Sequence, residues 1–480
     1  MAPFPRHLSI ALLLTAVPGI CSAATIVVDT AADVELDDGL CSLREAIVAA
    51  NGDAAYFGCA AGAGDDLVVF GLPTPATLPL DSALPTITAS LTLAGPGSGR
   101  LSIDGQLLVP LLLFDTPEGD GLLEVRDLAL TRGDSTGLPT TLGGGATVLD
   151  GDSALFLRVV FRDNRADNLG GGLLLISDPP GAATAWVEEC LFEGNVAQGP
   201  AGGGGIYASS GSVLAVVAST FVDNRAEAEF GTGGAMFLRD AEAVIQRSTV
   251  SANRASSSGG GIAIAAGPGG TATVAITDTT ITANVAETNG DTQGDGGGIY
   301  VQSNLNGGMV DLTLGNSLVA GNFDSGFSTF PDLTLSGPVT LSSLSFNLLG
   351  ANDGGSGWPT GTPNAAGDYV GTVATPVDPL LEPLGEHGGP TPVHLPASQP
   401  ASVTVDHGLC AQPAADQRGH RNPTTGTRPV DHPTVPNSPS GDRCDIGAVE
   451  LGAGPAPGAP LFADGFESGT PYLWSASLLE

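Results

Sequence analysis

The chain has 480 residues, enough for a large core, yet aromatic residues make up only 5% against 42% hydrophobic residues in all. That balance suits a narrow core of Val, Ile, Leu and Ala and argues against a thick globular one. Its 51 acidic residues face 16 basic ones, all of them arginine, so the surface repels nucleic acid and other polyanions and excludes them as partners.

Residues 1–24 read as a secretory signal. Arg6 and His7 give a charged start, and residues 8–17 form an apolar run too short to span a bilayer. Pro18 and Gly19 break that run, and Cys21, Ser22, Ala23 and Ala24 are small enough for cleavage. Nothing later is long and apolar enough for a transmembrane segment. Loss of the signal leaves 15 basic against 51 acidic residues, a balance of −36. An exported chain is permitted disulfides. Five cysteines remain, with Cys41 and Cys59, and Cys410 and Cys444, as local pairs, although spacing alone leaves the connectivity open.

Residues 25–66 read as an N-terminal cap. Thr25–Val28 is a first strand, and an acidic turn leads into CSLREAIVAAN. Ser42 and Glu45 have capping-box spacing. Leu43, Ala46, Ile47 and Ala50 fall on one helical stripe, and Asn51-Gly52 is a helix stop. A catalytic pairing of Arg44 with Glu45 is the alternative, but the capping box already accounts for Glu45.

Residues 67–350 carry the coils. Six units between 143 and 326 each open on a glycine cluster and close on an apolar run ending in asparagine. The closings are VVFRDNRA, CLFEGNVA, STFVDNRA, STVSANRA, TTITANVA and SLVAGNFD, with Asn164, Asn195, Asn224, Asn253, Asn284 and Asn322 spaced by 31, 29, 29, 31 and 38. A fixed period in this range means a solenoid, and the runs between are β-prone with no sustained helical period. Each unit is therefore expected to form one coil of a parallel β-helix with two or three short strands. At about 29 residues per coil there is room for roughly ten coils, a rod of about 45–50 Å at the usual strand spacing. Asparagine tolerates the left-handed conformation, and its amide has donors and an acceptor for a ladder from coil to coil. Cys190 occupies the place held elsewhere by Val159, Ser219 and Ser248, a stacked residue rather than a reactive thiol.

Residues 351–450 are rich in proline and turns and are expected to pack along the rod and over its C-terminal end. Residues 451–480 read as a linker followed by the tail LFADGFESGTPYLWSASLLE.

CSLREAIVAAN matches the CSLREA segment of secreted bacterial β-helix proteins. FRDN, FEGN and FVDN, with Gly233-Gly234-Ala235-Met236, resemble the repeats of chlamydial polymorphic outer-membrane proteins. Residues 378–384 (DPLLEPL), 388–394 (GGPTPVH), 416–419 (DQRG) and 444–450 (CDIGAVE) resemble the choice-of-anchor Q domain, and the tail resembles DGFESG-type ends of exported proteobacterial proteins. The likeness covers roughly residues 25–450; residues 401–406 depart from it, where that family has a shorter AIDAG-like run. It implies an all-β, right-handed parallel β-helix of pectin-lyase-like shape, exported and surface-displayed or outer-membrane associated, and it supplies no catalytic residues.

A polyuronate lyase wants a carboxylate cluster holding calcium and a basic residue for the α-proton. Lysine is absent, and Arg165, Arg225 and Arg254 simply follow ladder asparagines. Glycoside hydrolysis needs paired carboxylates, and the NTD, GHD and RIK triplets are missing. Asp291 and Asp295 lie in a turn that faintly resembles a calcium-binding repeat, but it occurs once. The five histidines beyond the signal, His387 to His432, match no zinc spacing. The reading that emerges is a monomeric, cofactor-free protein for surface display, adhesion or contact with a polysaccharide or cell-surface ligand. The alternative is a carbohydrate-active enzyme, lyase-like or hydrolase-like, with an unfamiliar site on the coil surface.

Overall fold

The computed structural model describes residues 23–138, 142–177, 181–289, 295–325, 332–352, 358–398, 402–410, 415–423, 425, 428–433, 435–438 and 441–455. The expected signal (all but its last two residues), Asp291 and the tail from 456 onward lie outside the described residues.

One central coil shows how the chain winds. Thr184–Glu188, Leu191–Glu193, Val196–Ala197 and Ile206–Ala208 follow in turn, and Val213–Val217 then begins the next coil against Thr184–Glu188. Stacking produces four parallel sheets of eleven, eleven, six and eight strands, here the first to the fourth in the order the coil visits them. Four strands per coil exceed the two or three expected. The additional one is a two-residue strand directly after the asparagine, too short to show as a run in the sequence.

Two corners of each coil are made by single residues in the left-handed region. Between the first and second sheets stand Glu189 (φ 54°), Ala218 (φ 49°) and Arg247 (φ 50°); between the second and third, Gly194 (φ 67°), Asp223 (φ 55°) and Ala252 (φ 58°). A side chain in that conformation costs on the order of 1–3 kcal/mol. The residue after each corner points inward and bonds the neighbouring coils, which offsets the cost. Glycine is demanded where the coil closes. Gly203 has φ +71°, and a Cβ on Gly204 would sit 2.5 Å from the Arg225 backbone nitrogen.

Inward-facing residues of the second sheet form the axis of the core. Phe161 stacks on Phe192 at 4.3 Å, and Phe192 on Phe221 at 4.6 Å, the rings within about ten degrees of parallel. Such pairs contribute about 0.5–1.5 kcal/mol beyond their burial. Val250 and Ile281 continue the row.

At the N-terminal end the first sheet begins with Thr25–Val28, paired with Asp66–Phe70, so that strand belongs to a coil although the sequence reading placed it in the cap. The helix Leu43–Asn51 is inserted between the two and covers the core's open end with Leu43, Ala46, Ile47 and Ala50. Its capping box is complete: the Glu45 amide donates to Ser42 Oγ, and the Ser42 amide to Glu45 Oε2. The left-handed residue past its end is Asp53 (φ 47°), whereas Gly52 sits at φ −105°. Arg44 is pinned by both Asp33 carboxylate oxygens and by the carbonyls of Ser82 and Ala83, which makes it a strut between cap and coil.

Both disulfides exist, Cys41–Cys59 in the cap and Cys410–Cys444 in the C-terminal segment. They close loops with sequence separations of 18 and 34, for which chain-entropy arguments give about 3–4 kcal/mol each. Reduction should therefore lower the melting temperature in calorimetry. Mass spectrometry finding free thiols at these four positions in native protein would reject the pairing.

Candidate functional site

The six asparagines occupy equivalent turns, and none has more than 6% exposure. Each Nδ2 donates to Oδ1 of the next: Asn164 to Asn195 at 3.0 Å, then 2.8, 2.9, 2.9 and 2.9 Å down to Asn322. Each also donates to a carbonyl of the preceding coil, as Asn224 does to Phe192. All the amide dipoles point the same way, their N–H ends toward the C-terminus. The row ends on Asp332, whose Oδ1 accepts from Asn322 Nδ2 at 2.9 Å and whose Oδ2 accepts from the Ala351 amide at 2.6 Å. Burial pushes the Asp332 carboxyl up to about 6, against the hydrogen bonds that lower it.

A second row runs along the other corner. Successive backbone amides donate to Cys190 Sγ, Ser219, Ser248, Thr279, Ser317 and Asn347, and the row finishes on Asp368. Burial raises the Cys190 thiol to about 12, which leaves it unreactive at neutral pH. Both rows are scaffold. They hold the corners that join the first sheet to the second and the second to the third.

From Thr220 onward the second sheet is covered by the C-terminal segment. Gln417 receives the Thr249 hydroxyl at 2.6 Å and donates to Thr220 Oγ1 at 2.8 Å. His394 meets Ser251 at 2.8 Å, and the Ala448 amide donates to Thr280. The DQRG, GGPTPVH and CDIGAVE motifs thus act as a clasp on the rod. Beneath it Arg428, 1% exposed, pairs with Asp278 at 2.6 Å and with Glu450 at 3.7 Å. Burial raises the Asp445 carboxyl to about 7, and burial together with Asp445 raises that of Glu450. Both carboxyls are closed off from solvent.

The first sheet stays open. Leu155, Trp186, Ala215 and Val244 align in one outward row, flanked by Leu157, Val213 and Val217. Trp186 is 37% exposed, its indole N–H held by Glu188 at 2.9 Å. On the fourth sheet the row facing away from the core runs Leu174, Tyr207, Phe237, Ala263, Tyr300, and its first four members are themselves buried, none more than 9% exposed. Beside it lies a cavity of about 210 Å³ whose lining includes Phe230, Thr232, Ser257, Tyr300 and Gln302.

Of the calcium candidates, Asp291 lies outside the described residues. Asp295 is partly buried, which raises its carboxyl, and Glu287 lies near it. Among the described residues one group with metal-capable atoms within 4.8 Å is found, Cys410, Asp442 and Cys444, and its two sulfurs are joined in the disulfide. No described helix is long and apolar enough to cross a membrane.

Residues 143–330 match the family model described as a right-handed beta helix region. The chain is a right-handed parallel β-helix protein. Neither curated proteins nor solved structures offer a match. The β-helix exterior was the part least visible in the sequence. Trp186 gains meaning only from the register that lines it up with residues of adjacent coils.

Proposed function

We propose that this β-helix is an exported, surface-displayed rod that contacts glycans through its uncovered flank, without cofactor and as a monomer. The observation that carries the reading is the Trp186 row: a flat, apolar, partly exposed strip on a rigid sheet. Aromatic and aliphatic groups on such a plane match the apolar faces of sugar rings. Export is supported by the signal-like start, the two disulfides and the acidic balance. The resemblance of the CSLREA helix and the clasp motifs to secreted, surface-held proteins supports display at the cell envelope.

Glycan arrays and whole-cell binding test this. Purified protein should bind a subset of glycans, and Trp186→Ala should weaken that binding at least about tenfold, a loss of about 1.4 kcal/mol. Turnover of a polysaccharide abolished by one acidic substitution would overturn the reading.

A further inference from the structure

We propose that the tip of the N-terminal cap is a docking surface for a cationic polypeptide segment that carries apolar side chains. This goes beyond the glycan contact and does not depend on it.

A two-residue turn closes the cap after the helix. The Cys59 amide donates to the Tyr56 carbonyl at 2.9 Å and the Tyr56 amide to the Cys59 carbonyl at 3.4 Å, which leaves Phe57 and Gly58 at the tip. Phe57 has φ 48°. Glycine, asparagine and aspartate suit a left-handed position in such a turn, and a bulky side chain there is costly. At the coil corners that cost is offset by the next residue, whose side chain bonds the neighbouring coils. Here the next residue is Gly58, which has no side chain to contribute. The Phe57 ring touches Tyr56, its neighbour in the chain, at 4.5 Å between centroids and stays 46% exposed. The turn itself thus gives no reason for phenylalanine at this position.

The turn lies against the acidic loop that leads into the helix. Three contacts tie the two together: the Tyr56 hydroxyl to Glu35, Gly58 to the Leu40 backbone, and the Cys41–Cys59 disulfide. A Cβ on Gly58 would sit 1.9 Å from the Leu40 carbonyl oxygen, so only glycine allows this approach. Leu36 and Leu40 project from the loop, 57% and 44% exposed. All three apolar side chains are more open than Trp186. Apolar groups clustered on so firmly pinned a frame mark a contact surface.

Charge decides what fits. Glu35, Asp37 and Asp38 stand between and beside the two leucines, Asp53 precedes the turn, and all four are exposed. The one basic residue of segment 25–66, Arg44, is held by Asp33. An anionic lipid surface and a second copy of this cap are both repelled. So are the chain's own residues 456–480, which hold Asp464, Glu467 and Glu480 and no basic side chain. A polypeptide that brings lysine or arginine beside leucine-like side chains meets both the apolar and the acidic demand.

Fluorescence anisotropy in about 0.15 M salt, where charges more than about 8 Å apart are largely screened, tests this with labelled peptides of equal length. Their sequences alternate Leu-Lys, Ser-Lys or Leu-Glu. Wild type should bind the Leu-Lys peptide at least about tenfold more tightly than either of the others. Phe57→Asn should cut that affinity at least about tenfold and leave the melting temperature unchanged or higher, because asparagine suits the turn. Leu40→Gln should also weaken binding, and it serves if Phe57→Asn does not fold. Leu305→Gln, which removes an 85% exposed leucine outside the cap, should bind as wild type does. Wild-type affinity in either folded cap variant would overturn the docking surface, as would an equal loss in Leu305→Gln. Comparable binding of the Ser-Lys or Leu-Glu peptide, or binding of phosphatidylglycerol vesicles, would overturn the kind of partner. A clear fall in the melting temperature of Phe57→Asn with no change in affinity would assign the ring to the fold instead.

Discussion

Arg428→Met should destabilise the protein by about 3–5 kcal/mol, the usual effect of removing one partner from a buried ion pair. The guanidinium donates to Asp278 Oδ1 at 2.6 Å and to the Gly447 carbonyl at 2.5 Å, with Glu450 at 3.7 Å. Without it, Asp278, Glu450 and Asp445 remain in a dry layer between clasp and rod. The loss should be local. Limited proteolysis should cleave between 358 and 455 while the coils stay protected. It should also depend on pH. Asp445 is raised to about 7, chiefly by burial, against about 3.9 in an unfolded chain. The folded state therefore binds a proton that the unfolded state releases. The stability this contributes is complete below about pH 4 and is lost as pH rises through about 7. Arg428 lowers the Asp445 and Glu450 carboxyls, so removing it pushes both higher and extends that decline. Denaturant melts should show a larger deficit for the variant at pH 8 than at pH 5. An equal deficit at both would mean that these carboxyls do not respond to the arginine.

Asn224→Ala should cost about 1–3 kcal/mol, the penalty for buried groups left without partners. Four contacts vanish: Nδ2 to Asn253 Oδ1 and to the Phe192 carbonyl, both at 2.9 Å, and Oδ1 from the Asn195 amide and its Nδ2. Asn224→Asp should be worse at neutral pH. A carboxylate can still accept from Asn195, but its second oxygen would face the Asn253 and Phe192 oxygens. Asp332 escapes this because its second oxygen meets the Ala351 amide. The Asn224→Asp variant should recover stability as pH falls, when the introduced carboxyl becomes neutral. Arg225→Ala, one residue on, should change stability by less than about 0.5 kcal/mol, since that side chain is half exposed and 3.8 Å from Glu227. Melts ranking Arg225→Ala as the more damaging change would reverse the inward and outward faces of the repeat.

The ladder could be read from the sequence because six asparagines recur in one context, and the Ser42–Glu45 box because its spacing is local. What escaped is what occurs once. Asp332 follows Asn322 by ten residues rather than by a full period, so no repeat points to it, and Asp368 ends its row in the same way. The first coil was missed because the helix Leu43–Asn51 interrupts the period between Thr25–Val28 and Asp66–Phe70. The clasp's path was legible only in part: threonines at 220, 249 and 280 are ordinary strand residues until Gln417 and Ala448 are seen resting on them.

The one-way donation along the asparagine row bears on how such rods change length. A rung that accepts from the coil before it and donates to the coil after it is interchangeable with any other. Duplication or deletion of one 29-residue unit, such as the step from Asn195 to Asn224, leaves no amide unmatched. Reach can then vary in increments of about 4.8 Å. Upstream of Thr220, the first coil the clasp touches through Pro392 and Gln417, such a change also keeps the clasp in place. Beyond Asp332 the same insertion would set a new amide row against a carboxylate already occupied on both oxygens. Lineages of this protein should therefore differ in coil number on the N-terminal side and keep a fixed C-terminal end.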